Sequence, residues 1–202
     1  YAVLTWPGYT GALQVMAPGR FSVALNQAPM WDPTGLFYLD WMVNRRRVWK
    51  MPFSTPAHLL RRVADEARDF AEASRMLADA LLSTPGIFTL AGLEPEEAVV
   101  IERTEHRSRV RRGVAAVAAN HWGEAGWKGR ARGDSSHERS RAMQDITPSF
   151  DEDFAWLAPP VLNAKTRLAM VADAKFGRLM ARGYEAHGPA TQSLDLEWHA
   201  AV

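Results

Sequence analysis

Two asparagines stand where their type and placement bear directly on chemistry. Asn26 closes the apolar run Ser22-Val23-Ala24-Leu25, and Asn120 closes Val117-Ala118-Ala119. A carboxamide at a strand end can donate N–H to an oxyanion without adding a charge of its own. Asparagine is also a common turn former at such a place, so both readings stand. His121, His137 and Glu138 are metal-ligand types, but no H-E-x-x-H occurs and the Gly-rich stretch Gly123 to Gly133 separates the two histidines. No metal is expected on that spacing. Asp134-Ser135-Ser136-His137 holds the residue types of a serine-hydrolase triad, but neighbours at a helix start do not converge and no G-x-S-x-G elbow is present. Asp134 reads more simply as an N-cap, with Ser135, Ser136 and His137 in the first turn. The basic runs Arg45-Arg46-Arg47 and Arg107 to Arg112 are solvated faces in this reading. Glu94, Glu96, Glu97, Glu102 and Glu105 offset the second run, so no nucleic-acid partner is expected.

The elements that must carry these residues follow from composition and pattern. The chain has 202 residues, 24 Lys+Arg against 23 Asp+Glu, 47% hydrophobic residues and no cysteine. That is a folded composition with ample core for one domain over 1–202. Without cysteine, these residues form no disulfide, thiolate metal site or thiol nucleophile. No apolar run reaches the roughly 18 residues of a membrane span. No signal peptide opens the sequence, which slightly favours the cytoplasm. Beginning at Tyr1 without an initiator Met, the chain is expected to continue upstream.

Pro7-Gly8 and Pro18-Gly19 separate three expected antiparallel strands, Tyr1–Trp6, Tyr9–Met16 and Phe21–Leu25. A helix is expected over Gly35–Trp49, carrying Leu36, Leu39 and Val43 at helical spacing. Thr55-Pro56 begins a second, with Leu59, Leu60, Val63 and Ala67 on its apolar face. Asp69 to Glu72 is a capping box for a third, which buries Phe70, Ala73, Leu77 and Leu81. Strands are expected over Ile87–Ala91, Ala98–Arg103 and Gly113–Ala119. A helix then runs from about Asp134 to Gln144, a helical turn over Asp151–Leu157, and a closing strand pair over Arg167–Ala172 and Arg178–Tyr184. Blocks of strands alternating with blocks of helices predict a layered α+β domain.

Several segments, taken together, resemble one family. Trp6-Pro-Gly-Tyr-Thr-Gly-Ala-Leu13 and Ala17-Pro-Gly-Arg-Phe-Ser-Val-Ala-Leu-Asn-Gln27 resemble the middle of acid ceramidases and N-acylethanolamine acid amidases. Pro85-Gly-Ile-Phe-Thr-Leu-Ala-Gly92 with Ala98-Val-Val-Ile-Glu-Arg103 resembles their next hairpin. Ala119-Asn-His-Trp122, followed by Asp134-Ser-Ser-His-Glu-Arg139, resembles their T-N-x-x-W … D-x-R stretch, and the Asp-Ser-x-x-x-Arg form also resembles penicillin acyltransferases. Pro160-Val-Leu-Asn163 resembles the C-terminal end. The likeness runs collinearly over nearly the whole chain.

That group is the N-terminal-nucleophile superfamily that includes choloylglycine hydrolases. The resemblance implies an α+β, αββα four-layer sandwich of antiparallel sheets, incomplete at the N-terminus, of which 1–202 is the C-terminal portion. It implies cleavage of a linear carboxamide C–N bond through an acyl-enzyme. The nucleophile would be an N-terminal cysteine upstream of Tyr1 or on a second chain, with no cofactor and a small-molecule acyl amide as substrate. By the same likeness Asn120 is the oxyanion-hole asparagine, and Arg139 is the active-site arginine that holds the neighbourhood through carboxylate contacts. Asn26 stands beside the nucleophile. Gln27, where acid ceramidases usually carry glutamate, is an expected substrate-binding residue with Trp6, Tyr9 and Trp122. Met16, Met30, Trp31, Phe37 and Trp41 belong with Trp6 and Tyr9 either to an acyl pocket or to plain core. A catalytically silent binding protein on the same scaffold is the second reading. Hydrolase against acyltransferase, the substrate and a homo-oligomeric state are left open.

Overall fold

A computed structural model of the protein describes residues 1–113, 115–147, 149–151 and 153–198. Six strands form the first sheet in the order β1 (Ala2–Leu4), β2 (Gln14–Ala17), β3 (Phe21–Gln27), β4 (Gly86–Ala91), β5 (Ala98–Arg103) and β6 (Ser108–Arg112), every neighbouring pair antiparallel. Successive side chains on a strand point to opposite faces. Phe21 and Val23, Phe88 and Leu90, and Val99 and Ile101 therefore share one buried face. Asn26, Ile87, Val100 and Glu102 lie on the other, termed the inner face below.

Helices α2 (Pro56–Glu66) and α3 (Phe70–Asp79) cover the first of these faces. Each starts as its sequence dictates. The Thr55 hydroxyl accepts from the His58 N–H with Pro56 at the first helical position, and the Asp69 carboxylate accepts from the Glu72 N–H. Leu59, Leu60, Val63, Phe70, Ala73 and Leu77 then pack on the sheet. Leu81, expected in this face, is exposed, and Leu82 takes the buried place because α3 ends at Asp79 and the chain turns. Arg103 is fully buried on this side. Its guanidinium donates to the Leu77 and Ala80 carbonyls at the end of α3, and its Nε donates to the Arg107 carbonyl.

The second sheet is built from β7 (Leu168–Asp173), β8 (Arg178–Glu185) and β10 (Leu194–Glu197), with the short β9 (Gly188–Pro189) on β8. The strands expected at 167–172 and 178–184 stand, and β10 adds an edge. Met16, on the inner face of β2, packs against Leu179 and Ala181, and Gly19 N–H donates to the Ala174 carbonyl, so the two sheets lie face to face. On the far side of the second sheet, Phe154 and Leu157 cover Val171, Met180 and Tyr184. The layering is helix, sheet, sheet and an outer layer, as the α+β sandwich requires. The turns that include Phe154 and Leu157 supply that outer layer.

Several boundaries move. Of the strand expected over Tyr9–Met16 only Gln14 onward is extended, because Tyr9 to Leu13 forms a connection whose Ala12 N–H bonds to the Ala57 carbonyl. The strand expected over Gly113–Ala119 is instead β6, five residues earlier, where Ser108 to Arg112 pairs with Val99 to Arg103. Ala115 to Ala119 crosses the inner face without pairing, its Ala116 and Ala118 packed over Ile87 and Val100. Two expectations touch residues outside the described set: Val114 in that strand and Glu152 in the turn expected over Asp151–Leu157. The helix expected at 35–49 is α1 (Phe37–Lys50), but its Leu36, Leu39 and Val43 are exposed and Asp40 is its buried residue. Asp40 Oδ1 accepts from Thr34 N–H and hydroxyl, tying the helix start to the loop before it. Finally, α4 (Ser136–Gln144) begins with Ser135 at its N-cap, in the left-handed region at φ 50° and with no side-chain cap bond. Asp134, expected to cap it, pairs with Lys165.

Candidate functional site

The crossing segment 118–120 and the end of β3 are clamped by their carboxamides. Asn26 Nδ2 donates to the Ala118 carbonyl at 3.1 Å, and Asn120 Nδ2 donates to the Gln27 carbonyl at 2.9 Å. The two asparagines thus bond in opposite directions across the same gap. Each Nδ2 carries two hydrogens and uses one. Arg132 closes the arrangement from below: its backbone N–H donates to the Asn120 carbonyl, and its Nε donates to the Ala28 carbonyl at 3.0 Å.

Arg139, on α4, reaches Asn120. Its Nη2 donates to Asn120 Oδ1 at 3.1 Å and its Nε to the Asp134 carbonyl at 3.0 Å. The carboxylate contacts expected of Arg139 are replaced, among the described residues, by carbonyl and carboxamide oxygens, since Asp134 turns to Lys165. Arginine has only donors, so its contact fixes which end of the Asn120 carboxamide is oxygen. Burial lowers the Arg139 pKa, with Asp134 opposing, and the group remains a cation.

Ser136, the first residue of α4, holds the segment from the other side. Its buried hydroxyl accepts from the Asn120 N–H at 2.8 Å and lies 2.9 Å from His121 Nδ1. The His121 and His137 rings, separated in sequence by the Gly-rich loop, stack with centroids 3.8 Å apart. Burial, then His137, Arg111 and Arg139, push the His121 pKa below its ordinary value. No group of three or more His, Cys, Asp or Glu side chains placed to hold a metal ion occurs among the described residues.

Behind His121, Gly123 N–H donates to the buried Glu102 carboxylate at 2.5 Å, with Arg111 3.8 Å away. A side chain at residue 123 would meet Arg111 Nη2 at 2.7 Å, so the Arg111 guanidinium would have to shift to admit one. Burial pushes the Glu102 pKa up, against the Gly123 bond and Arg111, which pull it down. Trp122 packs over Ala28, Ile87 and Val100 and meets the Trp127 ring edge-on at 5.0 Å.

A cavity of about 280 Å³ opens beside the clamp, with Gln27, Met30 and Trp41 among its walls. Of the expected substrate-binding residues, Gln27 lines it, while Trp6, Tyr9 and Trp122 do not. Trp6 and Tyr9 lie in the β1–β2 connection, at the same sheet end as Asn26, but Tyr9 packs on His58 of α2, on the helix side. Met16 and Met30 are core, whereas Trp31, Phe37 and Trp41 are exposed. Sequence reasoning missed Arg132 and Ser136. Ser136 was read only as a first-turn residue, and Arg132 carried no motif, because both act through partners distant in the chain.

No protein-family model matches the chain. Acid ceramidase from Heterocephalus glaber is 30% identical over 103 residues, 51% of this chain and 25% of that protein. Human acid ceramidase is 29% identical over 104 residues, 52% of this chain and 25% of its own. The chain thus spans about a quarter of the length of these curated relatives. Among solved structures, the Caenorhabditis elegans N-acylethanolamine-hydrolyzing acid amidase ortholog superposes with a TM-score of 0.59 at 18% identity, over 95% of this chain and 80% of that one. This last likeness concerns the fold.

Proposed function

We propose that this chain, similar to acid ceramidases and sharing the fold of an N-acylethanolamine-hydrolyzing acid amidase ortholog, is the portion of a cysteine amidohydrolase with the N-terminal-nucleophile fold that stabilises the oxyanion. These 202 residues hold no cysteine, so in this reading the thiol comes from outside them, at the N-terminus of its own chain where its α-amino group serves as base. The thiolate adds to the substrate's amide carbonyl, and the carbonyl oxygen becomes an oxyanion. The unused N–H of Asn120 donates to that oxygen, and Asn26 is the second donor. Collapse breaks the C–N bond, the ammonium returns its proton to the leaving nitrogen, and a thioester remains. Water then adds to the thioester through the same oxyanion and releases a carboxylic acid and the thiol.

One observation carries the reading. Arg139 holds the oxygen end of the Asn120 carboxamide and the Gln27 carbonyl takes one N–H, so the donor is oriented before any substrate arrives. Preorganised donors of this kind need no rearrangement as charge develops.

Asn120→Ala in the full-length protein is expected to lower kcat by about 10²–10³ with the fold retained. Turnover of N-acylethanolamine and ceramide amides, the substrates the relatives' names indicate, is the assay. A loss under tenfold refutes the Asn120 role. N-terminal sequencing is expected to give Cys on the mature catalytic chain. A folded full-length protein that turns over no acyl amide would leave the binding-protein reading in place of the hydrolase.

A further inference from the structure

Asn120 serves as a donor only if its backbone is held as firmly as its carboxamide, and one side chain does the holding. The Ser136 hydroxyl accepts from the Asn120 N–H at 2.8 Å and lies 2.9 Å from His121 Nδ1. Ser136 is buried and opens α4, so the helix places that hydroxyl. The other polar groups of Asn120 are taken by Gln27, Arg132 and Arg139, apart from the free carboxamide N–H. The hydrolysis chemistry gives Ser136 and His121 no part of its own.

The contacts decide where the protons sit. A hydroxyl has one hydrogen to donate and two lone pairs that accept. One lone pair of Ser136 takes the Asn120 N–H, and His121 Nδ1 is the hydroxyl's other neighbour among the described residues. If Nδ1 carried a hydrogen, it would compete for the same oxygen and leave the buried hydroxyl hydrogen without an acceptor, which is costly. A neutral ring with its hydrogen on Nε2 avoids this. The chain then runs from the Asn120 N–H through the Ser136 hydroxyl to His121 Nδ1. An imidazolium breaks that chain, because both of its nitrogens carry hydrogen.

The charges act in the same sense. Among the described residues the titratable and charged groups acting on His121 are the His137 ring, stacked at 3.8 Å, and Arg139, both on α4, and Arg111 on β6. Two residues along, the Gly123 N–H donates to Glu102 of β5, which has Arg111 3.8 Å away. A charge on His121 is opposed by His137, Arg111 and Arg139 alike. Arg139 is also the group that orients the Asn120 carboxamide.

We propose that Ser136 is a positioning residue for Asn120, and that it keeps this role only while His121 is neutral. With an imidazolium at 121, Nδ1–H competes for the oxygen that the Asn120 N–H uses, and the backbone at Asn120 loosens. The kinetic consequence, a donor set at neutral pH and released in mild acid, rests on the hydrolase reading; the positional link does not.

Two measurements on the full-length protein test this. In the first, hydrogen exchange followed by NMR compares the Asn120 amide with the buried Val100 of β5, whose exchange reports opening of the sheet. Between about pH 7.5 and about pH 5, protection at Asn120 is expected to fall about tenfold or more relative to Val100, with a midpoint matching the titration of the His121 ring. His121→Asn keeps an acceptor oxygen at the place of Nδ1 and does not titrate, so it is expected to hold that protection throughout. Protection at Asn120 that tracks Val100 at every pH, or the same fall in His121→Asn, overturns the link.

The second is kcat and KM for an acyl amide in Ser136→Ala and Ser136→Thr. Ser136→Ala is expected to lower kcat by about tenfold or more while KM changes less than about twofold, the mark of a contact that matters in the transition state. Ser136→Thr keeps the hydroxyl and is expected to recover most of kcat. A kcat in Ser136→Ala within about threefold of the unaltered protein, or a folded Ser136→Thr without recovery, refutes the positioning role. Should Ser136→Ala fail to fold, the exchange measurement on the unaltered protein decides alone. Should no acyl amide be cleaved while protection at Asn120 still follows His121, the hydrolase reading fails and the positional link stands.

Discussion

Asn26 and Asn120 differ from ordinary turn asparagines in what they touch. Each donates to a carbonyl of the other's segment, and Asn120 also accepts from a cation. At the same scale, the groups acting on His121 among the described residues are Ser136, the His137 ring and the guanidinium groups of Arg111 and Arg139. Burial and these neighbours lower its folded pKa below the unfolded value of about 6.5. Between those two values the unfolded state binds more protons, so stability rises with pH across that window. His121 thus contributes stability that is present above about pH 6.5 and is lost as pH falls through the lower folded value. Urea midpoints measured from pH 7.5 to 5 are expected to fall, and His121→Gln is expected to flatten the decline. An unchanged slope in the variant would assign the acid sensitivity to other groups.

At the scale of elements, caps made some boundaries readable and their absence hid others. Thr55 and Asp69 announce α2 and α3, and each side chain accepts the N–H its motif requires. Thr55→Ala is expected to cost about 1 kcal/mol in chemical denaturation, and Thr55→Ser much less. No comparable loss in Thr55→Ala would show that tertiary packing alone fixes the start of α2. The start of α4 has no side-chain cap, and the misreading of Asp134 follows from that: its partner, Lys165, is 31 residues away. The segment after β6 misled for a related reason. A run of small apolar residues fits a strand buried on both faces, and it equally fits extended chain lying across a sheet. Pairing, which composition does not encode, separates the two.

For the whole molecule, the governing contact is between the sheets. Met16 is fully buried against Leu179 and Ala181, joining the first sheet to the closing strands. Met16→Ala is expected to destabilise the fold by about 2–5 kcal/mol, read as a lower denaturation midpoint with the slope unchanged. A change below about 1 kcal/mol would mean that the two sheets are joined elsewhere.

The sequence by itself determined the strand and helix inventory around Phe21–Gln27, Thr55–Leu77 and Gly86–Arg103. There local turn chemistry, caps and alternation all specify the same elements. Through collinear likeness it also singled out Asn120 and Arg139 as candidates. Only the tertiary structure decided that Arg139 grips an amide oxygen instead of a carboxylate, that Ser136 and Gln27 fix Asn120, and that the Ser136 hydroxyl also meets His121. The physical reason is common to all three: a hydrogen bond is a relation between groups far apart in the chain. Residue type sets what each group can donate or accept, and the fold alone sets which group it meets.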